Sequence, residues 1–150
     1  MQPSVLDNMV CFSLYAASRA VSQAYRAVLA ERSLTYPQFL VLISLHQSGE
    51  ASVSDLGATM HLDSGTLSPL LQRLEARGSI TRERRGGDER VVIVSLTPAG
   101  RELRDDAIAA VDCLSVAYGI DQGELDDLLA KLHRITVNMN ELTASRRATP

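Results

Sequence analysis

Residues 52–100, SVSDLGATMHLDSGTLSPLLQRLEARGSITRERRGGDERVVIVSLTPAG, decide the fold. Ser52 is placed to cap a short helix that runs to Met60, with Asp55 three residues on in a capping-box position. A second helix is predicted from Asp63 to Arg77, with Leu67, Leu70, Leu71 and Leu74 as its inward stripe and Gly78 as its stop. Ile80–Arg85 and Arg90–Leu96 alternate as strands do, and Gly86-Gly87-Asp88-Glu89 between them gives a hairpin with a polar tip. Thr97 and Pro98 then supply an N-cap and a first-turn proline for the next helix. Two helices joined by a tight turn and followed by a two-stranded ribbon make a winged helix-turn-helix.

Outward from this centre the chain is helical. Apolar residues at Val10, Leu14, Ala17, Val21, Tyr25 and Val28/Leu29 recur at helical spacing, so 5–31 reads as one long amphipathic helix. Tyr36–Ser48 forms the next, capped by Thr35, started by Pro37 and stopped by Gly49. The helix from Pro98 is expected to reach Tyr118, where Gly119 breaks it, and another runs from Asp121 to about Leu142. The expected fold is mainly α with a small β-wing, one domain over 1–150. Its DNA-binding part spans about 36–97. The flanking segments, about 5–31 and 98–143, carry more apolar surface than that small centre can cover, so they are expected to form a homodimer.

The chain has 150 residues, 45% hydrophobic but only 4% aromatic, which implies an aliphatic core. Charged residues interrupt every apolar run and no signal segment opens the sequence, so a cytoplasmic protein without a membrane partner is expected. The net charge of -3 hides an uneven distribution. Residues 64–104 carry eight Arg against five acids, whereas 105–142 carry eight acids against Lys131 and Arg134. Basic surface therefore gathers around the helix pair and wing. His46, His61 and His133 have no metal spacing with either cysteine, and the one Gly pair belongs to the wing, so no metal or cofactor is expected.

A helix-turn-helix reads double-stranded DNA through the start of its second helix, where small polar side chains approach the major groove. With the leucines turned inward, Ser64, Thr66, Ser68, Gln72 and Arg73 are the groove-facing candidates. Pro69 among them removes one helical hydrogen bond and is expected to bend or delay the helix. Arg82, Arg84, Arg85 and Arg90 gather around the wing tip, where guanidinium groups suit a narrow minor groove. Asp88, two residues from Arg90, is placed to orient it.

The run DERVVIVSLTPAGREL, with its Asp-x-Arg and Leu-Thr-x-x-Gly, resembles the wing and following helix of MarR family regulators, homodimeric winged-helix repressors. LDNMVCFSLYAASRA, LTYPQFLVLISL and LDSGTLSPLLQRLEARG are similar to one branch, the organic hydroperoxide resistance regulators, whose members release operator DNA when a thiol is oxidised. The resemblance implies that Asp88 and Arg90 are the wing pair, that residues 63–73 face the major groove, and that Cys11 is the peroxide-reactive cysteine. It also matches Tyr25 and Tyr36 to tyrosines that reach this thiol from the other subunit, and Tyr15 to one nearby. Some members of the branch carry a second cysteine after the wing that pairs with the first, and others lack it. Cys113 matches no motif residue by residue and stands as either such a partner or a packed core cysteine.

The residues themselves agree with the placing of the thiol. Cys11 lies early in the first helix, where unpaired backbone N–H groups favour a thiolate. Tyr15, four residues on, shares its face. Tyr25 is 14 residues away, roughly 21 Å along the axis, and cannot reach Cys11 of its own chain. If first helices pair antiparallel in a dimer, Tyr25 or Tyr36 of one chain can donate to Cys11 of the other. The expected function is an operator-binding repressor that lets go when an organic hydroperoxide oxidises Cys11. Two rivals stand beside it: a repressor released by a non-covalent phenolic ligand, and a thiol peroxidase, which gives no reason for the wing.

Overall fold

A computed structural model describes residues 4–84 and 91–148. Its helices are α1 (Val10–Leu29), α2 (Tyr36–Ser48), α3 (Val53–Met60), α4 (Ser64–Ala76), α5 (Pro98–Val111), α6 (Cys113–Ala117) and α7 (Gln122–Ala148). Its strands are β1 (Glu50–Ser52), β2 (Ile80–Arg84) and β3 (Val92–Leu96). The chain divides into two compact units, Met1–Leu114 and Ser115–Pro150.

Local chemistry sets most boundaries in the first unit. Thr35 and Gln38 form a reciprocal capping box at the start of α2, and Gly49 ends it at φ 78°. Ser52 accepts from the N–H of Asp55 at 3.0 Å. Asp63 caps α4 more fully, taking the Thr66 N–H at 2.9 Å and the Thr66 hydroxyl at 3.1 Å. Those donors, the Thr66 N–H first, hold the Asp63 carboxyl below its ordinary value of 3.8. The folded state thus prefers the carboxylate, so this contribution is complete above the ordinary value and is lost as pH falls through the lowered one. Asp63→Ala is therefore expected to lower the melting temperature by a few degrees at neutral pH, with the difference from wild type closing as pH drops below 3.8. A difference independent of pH in that range would remove the carboxylate from the cap.

Helices α1 to α4 and the sheet close on one core. Leu29 of α1, Leu42 and Leu45 of α2, Leu56 of α3 and Leu67, Leu71 and Leu74 of α4 are almost fully buried with Ile80 and Val94. The sheet is antiparallel in the order β1-β3-β2, with Ile80 opposite Leu96 and Glu50 opposite Ser95. Strand β1 is an addition to the expected two-stranded ribbon. Three residues are too short to show alternation, and they become a strand because β3 offers them an open edge.

Two helices differ from expectation. The segment 5–31 is not one helix: a 3-10 turn at Val5–Asn8 precedes an extended Met9 (φ -100°, ψ 116°), and a second 3-10 turn, Ala30–Arg32, ends at Ser33 in the left-handed region. Asp7 and Asn8 are weak helix formers, which favours a break there. The helix expected to reach Tyr118 is interrupted at Asp112, between α5 and α6.

The start of α5 is held on the wing by a contact that needs glycine. Thr97 donates its hydroxyl to the Gly78 carbonyl at 2.6 Å and its N–H to Ser79 O at 3.1 Å, and accepts from the Gly100 N–H at 2.9 Å. A Cβ on Gly100 would lie 1.9 Å from that same Ser79 oxygen. The Leu-Thr-x-x-Gly run is thus a docking point between helix and sheet.

In the second unit, α7 carries Leu125, Leu128, Leu132, Ile135, Met139 and Leu142 at alternating spacings of three and four, a heptad stripe. Every one of these side chains is exposed or only half-buried.

Candidate DNA interface and thiol site

Helices α3 and α4 are joined by a turn in which His61 takes φ 53° and Leu62 donates its N–H to Gly57 O at 2.9 Å. With Leu67, Leu71 and Leu74 inward, the outer face of α4 is formed by Gly65, Pro69, Gln72 and Arg73, all exposed. Pro69 does not end the helix. It occupies the outer face, so the Gly65 carbonyl that loses its helical donor is on the solvent side and can be hydrated.

The other groove candidates are placed differently. Ser64 is exposed at the first turn, while Thr66 is exposed but spends its hydroxyl on Asp63. Ser68 is half-buried on the flank of α4, beside Val53, Arg82 and Val92 in a cavity of about 280 Å³. Arg84 ends β2 exposed, whereas Arg82 is drawn away from the wing tip, its guanidinium bound to Glu75 at 2.8 and 2.5 Å. The expectation of four guanidinium groups at the tip is corrected to that extent, because a carboxylate on the neighbouring helix outcompetes solvent. Arg85, Asp88 and Arg90 lie outside the described residues.

One link was not foreseen. Arg77, just past α4, donates to the Ser33 carbonyl at 3.1 Å, and Arg32 next to it binds Asp106 of α5 at 2.9 Å. The end of the second helix-turn-helix helix is thereby tied to the connection between α1 and α2. Backbone acceptors leave no mark in a sequence, so nothing in the residue pattern pointed to it.

Cys11 is the second residue of α1 and is exposed, with the extended Met9 as N-cap making no side-chain cap bond. Tyr15, one turn on, is 56% exposed, and its hydroxyl accepts from Arg19 at 3.0 Å while the guanidinium carbon sits 5.7 Å from the ring centre. At the other end of α1, Tyr25 packs on Tyr36 with ring centres 4.6 Å apart, and on Phe39 at 6.0 Å. The two tyrosines meet each other, and the length of α1 separates them from Cys11 of the same chain. Cys113 opens α6, exposed, its thiol donating to Ala110 O at 3.4 Å. Among the described residues no group of His, Cys, Asp and Glu could hold a metal, and no helix is long and apolar enough to cross a membrane.

Comparison with known proteins gives this arrangement a lineage. Residues 34–92 match the MarR family. The chain is 41% identical over 123 residues to the organic hydroperoxide resistance transcriptional regulator of Bacillus subtilis, covering 82% of each. It belongs to the MarR family. Another relative, the HTH-type transcriptional regulator TtmR of Methylorubrum extorquens, is 43% identical over 98% of this chain and 74% of its own. Among solved structures of the family, AbfR of Staphylococcus epidermidis matches with a TM-score of 0.78 at 31% identity, over 91% of this chain and 94% of that one. The disulfide form of AbfR matches with a TM-score of 0.65, over 87% and 92%. This MarR family chain is a transcriptional regulator with a winged-helix fold.

Proposed function

We propose that this regulator is a homodimeric, thiol-based repressor that releases its operator when an organic hydroperoxide oxidises Cys11. The observation that supports the reading is that Cys11 and the Tyr25–Tyr36 pair stand at opposite ends of α1. An exposed cysteine stands at the start, and the Tyr25–Tyr36 pair is assembled at the far end, out of its reach. An antiparallel pair of α1 helices would satisfy both ends twice over. The exposed apolar stripe of α7 supplies further surface for a second copy. The name of the Bacillus subtilis relative supports a hydroperoxide as the oxidant, and AbfR is known in reduced, overoxidised and disulfide forms, the first two on DNA.

In the proposed chemistry the Cys11 thiolate attacks the distal peroxide oxygen. An S–O bond forms and the O–O bond breaks, giving a sulfenic acid and an alkoxide that takes up a proton to leave as the alcohol. Tyr25 and Tyr36 of the partner are the donors to the thiolate, and Tyr15 flanks it. Operator contacts come from Ser64, Thr66, Ser68, Gln72 and Arg73 on α4 and from Arg84, Arg85, Asp88 and Arg90 at the wing. Arg73→Ala is expected to weaken binding to all sequences and to reduce the slope of log affinity against log salt by about one.

The test of the whole reading is a titration of the protein against DNA from its own promoter, with and without an organic hydroperoxide. Release on oxidation supports it, and unchanged affinity in the fully oxidised protein overturns it. Cys113 enters as the resolving thiol that converts the sulfenic acid into a disulfide with Cys11 of the other subunit, releasing water. Peroxide is then expected to give a covalent dimer on a non-reducing gel with wild type and none with Cys113→Ser. A wild type that stays monomeric on the gel while releasing DNA would leave Cys113 without a redox role.

A further inference from the structure

The corner between α1 and α2 is pinned from two sides. Ala30–Arg32 close α1 with a 3-10 turn, and Ser33 takes the left-handed conformation at φ 51°, its N–H donating to Ala30 O at 2.9 Å. From one side Arg32 reaches Asp106 of α5, donating to its backbone carbonyl at 3.2 Å and to its carboxylate at 3.0 Å. From the other, Arg77 donates to the Ser33 carbonyl at 3.1 Å. Arg77 is itself fixed at the end of α4: its N–H donates to Arg73 O at 3.1 Å, and two residues on the Ser79 N–H donates to Leu74 O at 3.0 Å. The second helix of the helix-turn-helix therefore ends on a joint whose other half is the end of α1.

We infer that Arg77 is a positioning residue of the repressor, the strut through which a shift of α1 turns the reading helix α4. Apolar packing between helices is non-directional and lets them slide, whereas a hydrogen bond holds one distance and one angle. Cys11 stands 18 residues before Leu29, about 27 Å along α1, so a displacement at the thiol is carried to the corner by a continuous helix. At the corner, Arg77 passes it to the end of α4. Thr66, in the first turn of α4, stands 11 residues before Arg77, about 17 Å along the axis. A small rotation at the joint thus becomes a larger movement at the groove-facing end.

This inference rests on oxidation of Cys11 as the signal for release, and the experiment separates the two. Full-length wild type, Arg77→Ala and Arg77→Lys are each titrated with promoter DNA at several salt concentrations, reduced and after oxidation by cumene hydroperoxide, with the state of Cys11 checked by mass spectrometry. The quantity read is the ratio of the dissociation constant of the oxidised protein to that of the reduced one. In Arg77→Ala this ratio is expected to fall about fivefold while Cys11 oxidises as in wild type, and Arg77→Lys, which still offers a donor to the carbonyl, should keep most of it. A residue that only steadies the end of α4 would lower the melting temperature and leave the ratio unchanged. A residue that holds a DNA phosphate would weaken both states alike and reduce the slope of log affinity against log salt by about one. Either of these results would overturn the inference alone. A wild type that keeps its operator with Cys11 fully oxidised would overturn the thiol reading and this inference with it.

Discussion

Cys11→Ser is expected to bind operator DNA as tightly as wild type and to stay bound when an organic hydroperoxide is added. The thiol is exposed at the second position of α1, away from the core, so serine changes neither packing nor the reading helix. A hydroxyl does not form a sulfenic acid, and the peroxide response should vanish rather than weaken. Fluorescence anisotropy with labelled promoter DNA, with and without peroxide, makes the comparison. A variant that still releases DNA would move the sensor elsewhere. A phenolic ligand that releases both proteins equally would favour the non-covalent rival. The tyrosines give the contrast: Tyr25→Phe or Tyr36→Phe removes one donor and leaves the sulfur, so oxidation should slow without stopping.

Gly100→Ala should damage the fold more than any surface change. In an isolated helix this substitution is favourable, by about 1 kcal/mol. Here the new methyl carbon would stand 1.9 Å from the Ser79 oxygen and 2.8 Å from its carbonyl carbon, both backbone atoms that cannot turn aside. The same oxygen accepts the Thr97 N–H, so moving it also costs the cap that starts α5. A net loss of about 2–4 kcal/mol is expected, a large share of a typical domain's stability. Urea unfolding should show a lower midpoint with an unchanged slope, together with weaker operator binding, because α5 and the wing lose their common anchor. A midpoint at or above that of wild type would show that the helix and sheet separate easily, and that Gly100 is not a docking point.

The fates of these residues mark what can be read without coordinates. Caps are local chemistry, with donor and acceptor within three residues of each other, so Thr35, Ser52 and Thr97 announced their helices in the sequence and occupy those positions in the structure, while Asp63, read as the first residue of its helix, is its cap. The leucine spacing of α4 fixed its buried face for the same reason, since a helix converts sequence interval directly into direction. Thus the winged helix-turn-helix and the outer position of Gln72 and Arg73 were legible from the chain alone.

What remained illegible depends on partners distant in sequence. Arg82 looked like a wing-tip cation until Glu75 of α4 was seen to hold it, and β1 had too few residues to show a period before β3 paired with it. The Arg77 link to Ser33 runs to a backbone oxygen 44 residues away, an acceptor that every residue possesses and no residue type advertises. Tyr25 and Tyr36, matched to the thiol only by resemblance, were brought to 4.6 Å by the packing of α1 on α2. The sequence by itself determined which segments become helices and which faces they bury, because those choices are settled within a turn or two of the backbone. Only the tertiary structure decided which charges are already spent within the protein, like Arg82 on Glu75 and Arg32 on Asp106, because pairing is a property of distance in space.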